Sequence, residues 1–593
     1  MFDLKITNGK IYDGTGGAPY EASLGIKDGI IVEIGACEGA AERTVDASGA
    51  IVTPGFIDLH THYDGQISWD AEMKPSINHG VTTIVTGNCG VGFAPCRKED
   101  HDKLIKLMEG VEDIPGTALA EGITWDWESF PEYMDAIDAL PHTLDFAVMV
   151  PHDPLRVYVM GERAISEEQA NDNDIERMRA LTHEALAAGA VGFSTGRSDF
   201  HRCADGNWTP ASEAHPSELA GIASAFTDFS YGVLHAVNDF NQEREGDQFD
   251  EEFDILETYF RAAPGHKSSM TLLQRDMVPD HWTRIIARAE KLQKEGVDLR
   301  LQAAPRAVGV FLGLQSTFHP LMAFPSYIAM ADLPLAERIT LLKDPAMKAK
   351  MLAETPVQLA GPGTSIPPMT DALIAQTVQI AEKMFRLDPA GDGVVDYEQG
   401  HENSIAFQAR AEGVGVWEKL YDILLEDEGY AFIYFPAYNY TDMNYDAVYT
   451  MITHELALPG LSDGGAHVGF ICDASFPTYL LSHWTRDRGT RAKNSQTISL
   501  QRAVQMLSAD GADFLGMSDR GRLKTGLKAD INIIDYDNLS LKPPTMVTDL
   551  PAGGQRLLQP VTGYRATFVS GEQVLADGEV TTARPGRLVR MGQ

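Results

Sequence analysis

The chain is poor in cysteine, with five in 593 residues (Cys37, Cys89, Cys96, Cys203 and Cys472). A set so sparse and odd in number builds no disulfide framework, and it fits a reducing compartment. No apolar run reaches the roughly 18 residues that a membrane span requires. The opening MFDLKITNGK has no basic stretch leading into an apolar core, so no secretory leader is expected and the cytoplasm is the expected location. Positive charge is also scarce. Against 85 Asp and Glu stand 48 Lys and Arg, a formal net charge of −37. Such a surface repels phosphate backbones, which excludes nucleic acid as a partner. The acidic excess is spread along the chain rather than gathered in a tail, as on a solvated surface. There is no internal repeat and no low-complexity tract.

What is present is enough apolar material for a large core, 44% of the residues, in a chain too long for one ordinary domain. From about residue 51, short apolar runs alternate with helical stretches, the βα rhythm of a parallel barrel. Eight candidate strands follow one another: IVTPGFIDLHTH, VTTIVTGN, LDFAVMV, AVGFSTG, YGVLHAV, KSSMTLLQ, LRLQAA and LALPGLSDGG. Eight βα units are the number that closes a (β/α)8 TIM barrel. Helical segments fit between most of them, such as EEQANDNDIERMRALTHEALAAG before the fourth. About 150 residues separate the last two strands. Their centre, residues 313–455, reads as a large, partly helical insertion over the barrel mouth. Both chain ends have a strand-and-turn texture, with hairpin turns at Asp28-Gly29 and Ser570-Gly571. The expected fold is thus α/β: a barrel over 54–520 and a small β-sandwich domain built from 1–53 and 521–593. The glycines at 14, 16 and 17 mark a turn, because no helix follows them to make a phosphate loop.

The strongest chemical signal is Asp58-Leu59-His60-Thr61-His62 at the end of the first barrel strand. Residues two apart on a strand face the same side, so His60 and His62 converge at the C-terminal mouth, where barrel enzymes keep their sites. Two imidazoles there make half of a metal site.

PGFIDLHTH, GVTTIVTGNCG and LSDGG together resemble the amidohydrolase superfamily, and within it the D-aminoacylase (N-acyl-D-amino-acid deacylase) branch. The resemblance extends over nearly the whole chain. It implies a metal-dependent hydrolase that cleaves a carbon–nitrogen amide bond, with an N-acyl amino acid, of D configuration in that branch, as the small-molecule substrate. It also implies that Cys89, in Gly87-Asn88-Cys89-Gly90, supplies the thiolate that stands where other superfamily members carry a carboxylated lysine; strand four has no lysine to modify. A thiolate beside two imidazoles suits Zn²⁺. Asp463, in Leu461-Ser462-Asp463-Gly464-Gly465, is then both a ligand and the general base and acid. His235, in GVLHAV, is implied as a ligand of a second metal.

Strand six breaks the pattern. The branch carries a metal-binding histidine at that strand, followed closely by a lysine, whereas His266 here precedes the strand (His266-Lys267-Ser268-Ser269). One tightly held zinc is therefore expected, with the second open. Arg306, His201, Arg197 and His467 follow barrel strands and are candidates to line a substrate, with His152 a weaker one; Arg306 could clamp a carboxylate. The turn DPAGDG at 388–393 resembles a calcium loop but has Ala390 and Gln399 where oxygen ligands belong. A cyclic amide, a lactone or a carbamate would need the same activated water, so these substrates stay open, as does a non-catalytic barrel. Self-association is also open.

Overall fold

The computed structural model describes residues 1–592 except 167, 242–246, 361–365, 367, 389–390, 392 and 492–494. Eight parallel strands form the barrel: β1 (Phe56–Asp58), β2 (Val81–Thr86), β3 (Asp145–Pro151), β4 (Gly192–Arg197), β5 (Val233–Asn238), β6 (Lys267–Leu272), β7 (Leu299–Ala303) and β8 (Ala457–Pro459). They pair in sequence order from β1 to β8. Strands covered on both faces read as continuous apolar runs, and β2, β3 and β4 are buried at every residue. All eight coincide with the segments that the βα rhythm marks out, β3, β4 and β5 running one residue further.

β1 and β8 do not pair through the strands themselves. They meet just beyond their C-terminal ends, where the His62 amide donates to the Gly464 carbonyl at 2.8 Å and the Asp463 amide to the His60 carbonyl at 3.2 Å. The barrel thus closes through the segments that carry the expected site residues.

Both chain ends contribute to one nine-stranded sheet. Ile51–Pro54 lies there between Phe2–Ile11 and Ile531–Ile534, paired parallel to the first and antiparallel to the second. The run IVTPGFIDLHTH is therefore not one strand. It is cut at Gly55, where a Cβ would lie 2.1 Å from the Thr82 hydroxyl oxygen, so the first half joins the terminal sheet and only the second half enters the barrel. The Asp28-Gly29 and Ser570-Gly571 turns have paired positive φ values, 50° and 75°, then 50° and 74°, the geometry of a two-residue hairpin.

Helices wrap the barrel with local signals at their ends. Phe130–Asp138 begins with a Ser129/Glu132 capping box, and Asp172–Ala187 with Asn171 and Asp174 in the same roles. Between β7 and β8 the chain builds its own apolar cluster around Leu312, Phe324, Tyr327, Leu420, Ile423 and Ile433. It also forms a small antiparallel sheet of Gly309–Leu312, Ile433–Pro436 and Phe385–Arg386. This segment rests on the C-terminal side of the barrel: Phe311 donates its amide to the Phe470 carbonyl at 2.7 Å, and Asn439 to the Gln274 carbonyl at 2.9 Å. No helix among the described residues is long and apolar enough to cross a membrane.

Candidate metal centre and active site

His60 and His62 emerge from β1 facing inward, and both are about 1% exposed. The motifs seen in the sequence lock onto one another. Ser462 donates its hydroxyl to Asp58 Oδ2 at 2.5 Å, and Asp58 Oδ1 accepts the His60 amide at 3.2 Å, so the SDGG segment is fastened to the strand that precedes the histidine pair. Asn88 donates its side-chain amide to the Thr61 carbonyl at 3.2 Å and the Val85 carbonyl at 3.0 Å, which fastens GNCG to the same strand. Its glycines are required by space as well as by backbone. A Cβ at Gly87 would stand 2.3 Å from the Met149 carbonyl oxygen, and one at Gly90 would stand 2.8 Å from the Gly196 nitrogen. The turn they permit aims the Cys89 thiol inward.

Four atoms converge as a result. His60 Nε2 is 3.3 Å from Cys89 Sγ, and His62 Nε2 is 3.6 Å from the same sulfur. Asp463 Oδ1 lies 3.4 Å from His60 Nε2 and 3.8 Å from His62 Nε2. Donor atoms of His60, His62 and Cys89 all lie within 4.8 Å of one another. Such spacing between ligand atoms is what a cation with bonds of about 2.0–2.3 Å imposes, and the donors, two nitrogens, a sulfur and an oxygen, fit a divalent metal.

Further partners orient these ligands. Gln302, on β7, faces His60 Nδ1 with its Oε1 at 2.8 Å; Nδ1 carries the proton, so Nε2 keeps its lone pair for the centre. Glu112, 1% exposed at the end of the helix His101–Glu112, sets Oε1 3.2 Å from His62 Nδ1 and Oε2 3.6 Å from His467 Nε2. His235 turns Nδ1 to the Ser269 hydroxyl at 2.9 Å, and its Nε2 is buried with no hydrogen-bond partner among the described residues. The His235 ring centroid is 5.1 Å from that of His60.

Electrostatics points the same way. Burial drives His60 down to about 4 and His62 and His235 well below the usual histidine range, so all three favour the neutral, ligating form. Burial pushes Asp463 up to about 7. It also pushes the Cys89 thiol well up, and the carboxylates of Glu112, Asp463, Asp64 and Asp153 add to that rise. A buried thiol facing carboxylates stays protonated unless a cation joins them, and a divalent metal would reverse the sign.

The remaining candidates divide. His467 and His201 stand at the centre, close enough to His60 for mutual repulsion to reinforce burial, which takes them to about 3 and about 4. Arg306 is taken up by internal partners. It is fully buried, with Nη2 on Asp473 Oδ1 at 2.8 Å and the Cys472 carbonyl at 3.1 Å, Nη1 on the Ser475 hydroxyl at 2.9 Å, and its guanidinium 3.9 Å from the Tyr397 ring centroid. Arg197 is equally committed, paired with both oxygens of Glu252 at 2.9 and 3.0 Å. His152 is a core residue held by Thr195 and Glu218, each at 2.9 Å. His266 sits at the start of β6, its Nδ1 3.2 Å from the Gly232 carbonyl oxygen just before β5, at the opposite end of the barrel from the centre. In the 388–393 turn, Asp388 accepts the amides of Gly391 and Gly393; residues 389, 390 and 392 lie outside the described residues.

Gln302, Glu112 and Ser269 went unnoticed in the sequence. Gln302 left a trace, as the polar residue inside the apolar strand LRLQAA. Glu112 left none, being one acid among many on a helix.

The profile of the amidohydrolase family matches residues 43–575. The chain belongs to the amidohydrolase family. Among curated relatives, it is 40% identical over 238 residues to a D-aminoacylase of Alcaligenes xylosoxydans xylosoxydans, a match covering 40% of this chain and 44% of that protein. It is 26% identical over 603 residues to an N-acyl-D-glutamate deacylase of the same organism, covering 99% and 96% of the two chains. Thus the higher-identity match spans under half of its relative's length, and the near full-length one is more distant. Among solved structures, a D-aminoacylase with a binuclear metal centre, described as activated by one metal and attenuated by the second, superposes with a TM-score of 0.62 at 21% identity over the whole of both chains. The N-acyl-D-glutamate deacylase of Bordetella bronchiseptica, solved with zinc and a phosphonate mimic of the tetrahedral intermediate, gives 0.61 at 22% identity over 99% of each. These superpositions carry the fold: a barrel with a β unit beside it, as in this amidohydrolase.

Proposed function

We propose that this amidohydrolase is a zinc-dependent deacylase that hydrolyses the amide bond of an N-acyl amino acid. The observation that carries the reading is the convergence of His60 Nε2, His62 Nε2, Cys89 Sγ and Asp463 Oδ1 at 3.3–3.8 Å in the closed barrel mouth. Relatives named for deacylation of D-amino acids, D-glutamate and D-aspartate supply the substrate class. A nitrogen and sulfur ligand set favours zinc over magnesium or calcium.

The proposed ligands are His60, His62, Cys89 and Asp463; His235 is the remaining donor toward a second ion. A bound zinc supplies Lewis acidity that polarises the amide carbonyl and acidifies water. The rest of the chemistry belongs to the side chains. Asp463 accepts the proton of the attacking water, a transfer suited to a carboxyl that burial has already raised. It then returns that proton to the leaving nitrogen, releasing a carboxylate and an amine. His467 and His201, which act electrostatically on His62, are the candidates to donate hydrogen bonds to the oxygen that gains charge.

The test is turnover of a panel of N-acetyl D- and L-amino acids by protein of known zinc content. The reading requires hydrolysis of at least one enantiomeric series that tracks zinc loading. Zinc-loaded protein inert on the whole panel would overturn it.

A further inference from the structure

Arg306 and Arg197 are both sealed in internal ion pairs, so neither offers a cation to an anionic substrate of this acidic chain, net charge −37. Arg275 differs from them. It lies three residues beyond β6 and is 4% exposed. Among the described residues its side chain makes one hydrogen bond, from Nη2 to the Asn238 carbonyl at 2.9 Å, and Nε and Nη1 are both buried without a hydrogen-bond partner. Asp239 acts on it electrostatically and accepts from the Ser198 hydroxyl at 2.8 Å. Buried guanidinium hydrogens left unpaired are costly, and a ligand with two oxygens removes that cost.

The surroundings place these free donors on the mouth side of the barrel. Asn238 ends β5, the strand that presents His235 three residues earlier. The Gln274 amide donates to Asn439 Oδ1 at 2.8 Å, and the Asn439 amide donates to the Gln274 carbonyl at 2.9 Å. This reciprocal pair clamps the segment before β8 against the loop after β6 and sets Tyr438 beside Arg275. Tyr438 packs in a small cluster with Leu461, two residues before Asp463. It is half-buried, and its hydroxyl and the Arg275 guanidinium act on one another electrostatically.

We propose that Arg275, assisted by the Tyr438 hydroxyl, receives a free carboxylate of the substrate and makes this site selective for N-acyl amino acids over neutral amides. The assignment rests on the deacylase reading above. It supplies a local cation inside an acidic protein, and it does so with a residue of the loop after β6, the strand whose histidine departs from the branch pattern.

The experiment compares kcat/KM for an N-acetyl amino acid with that for the corresponding N-acetyl amino acid amide, in wild type, Arg275→Met and Tyr438→Phe. The acid-over-amide ratio is expected to fall about 100-fold in Arg275→Met, chiefly through KM, and several-fold in Tyr438→Phe. A ratio unchanged in both variants would overturn the assignment. If Arg275→Met does not fold, Tyr438→Phe and Arg275→Lys carry the test by the same ratio. If wild type turns over neither compound, the deacylase reading fails on its own. Equilibrium binding of the N-acetyl amino acid and its amide to zinc-loaded protein then decides the role of Arg275: an acid preference lost in the variants supports it, and an equal preference in all proteins contradicts it.

Discussion

Cys89 and Asp463, 374 positions apart in sequence, share one backbone state: each is a non-glycine residue with positive φ, 54° and 48°, just past the end of its barrel strand. Such conformations cost free energy and persist where the surroundings enforce them. Here Asn88 and Ser462 do so by tying both turns to the first strand. Asp463→Asn keeps the turn and the metal held by His60, His62 and Cys89, but removes the proton carrier. A fall in kcat of about 10³-fold is expected, with metal content retained. Near-normal turnover in the metal-loaded variant would remove Asp463 from its role.

Glu112 contacts His62 and His467 from behind, and carboxylates in that position raise ligand basicity and fix the ring. Glu112→Gln should weaken metal affinity about 10- to 100-fold. Competition with a chelator reads this directly. An unaltered affinity would make Glu112 a bystander.

Arg306 separates a structural role from a substrate role. Removing one partner of a buried ion pair strands the other, so Arg306→Ala should cost about 3–5 kcal/mol, seen as a lower melting temperature. Arg306→Ala/Asp473→Asn should recover part of the loss, because no buried charge is then left alone. A stable Arg306→Ala protein with only a raised KM would reinstate the clamp first read from its position after the seventh strand.

Glu398 ties the segment before β8 to the helix-rich region after it, with His483 Nε2 at 2.9 Å, Arg488 Nη2 at 3.0 Å and the Tyr445 amide at 2.9 Å. These donors outweigh burial and hold its carboxyl down at about 2, from 4.5. A depressed carboxyl contributes stability that is complete above its unfolded value and is lost as pH falls toward its folded one. Glu398→Gln should therefore destabilise the protein by about 2–3 kcal/mol at neutral pH. The difference in melting temperature from wild type should shrink between about pH 4.5 and 2. A difference constant across that window would show that the carboxylate charge is not what stabilises the joint.

Much of the barrel was legible because its strands are largely buried on both faces, so that short, mostly apolar runs recur between helical stretches. The exception, Ile51–His62, shows the limit. Two apolar stretches either side of Gly55 belong to different sheets, and periodicity cannot tell a continued strand from a shared one. The proposed centre was legible where turn chemistry and metal chemistry coincide: HxH, GNCG and SDGG each combine a proposed ligand with the residues that bend or tie the chain around it. Position after a strand fixes only where an arginine side chain starts. Arg306 and Arg197 turn inward to Asp473 and Glu252, partners more than 50 residues away in sequence. Gln302 and Glu112 act on imidazoles from other strands and helices, so no local pattern announces them.

In the proposed centre one sulfur and two imidazoles share a single cation. X-ray absorption at the zinc edge, with metal content measured on the same sample, tests this most directly. The expected result is close to one zinc per chain, one sulfur at about 2.3 Å and nitrogen or oxygen neighbours at about 2.0–2.1 Å, with the sulfur shell and most of the zinc lost in Cys89→Ser. A zinc shell without sulfur in the wild type, or one that Cys89→Ser leaves unchanged, would contradict the proposed centre.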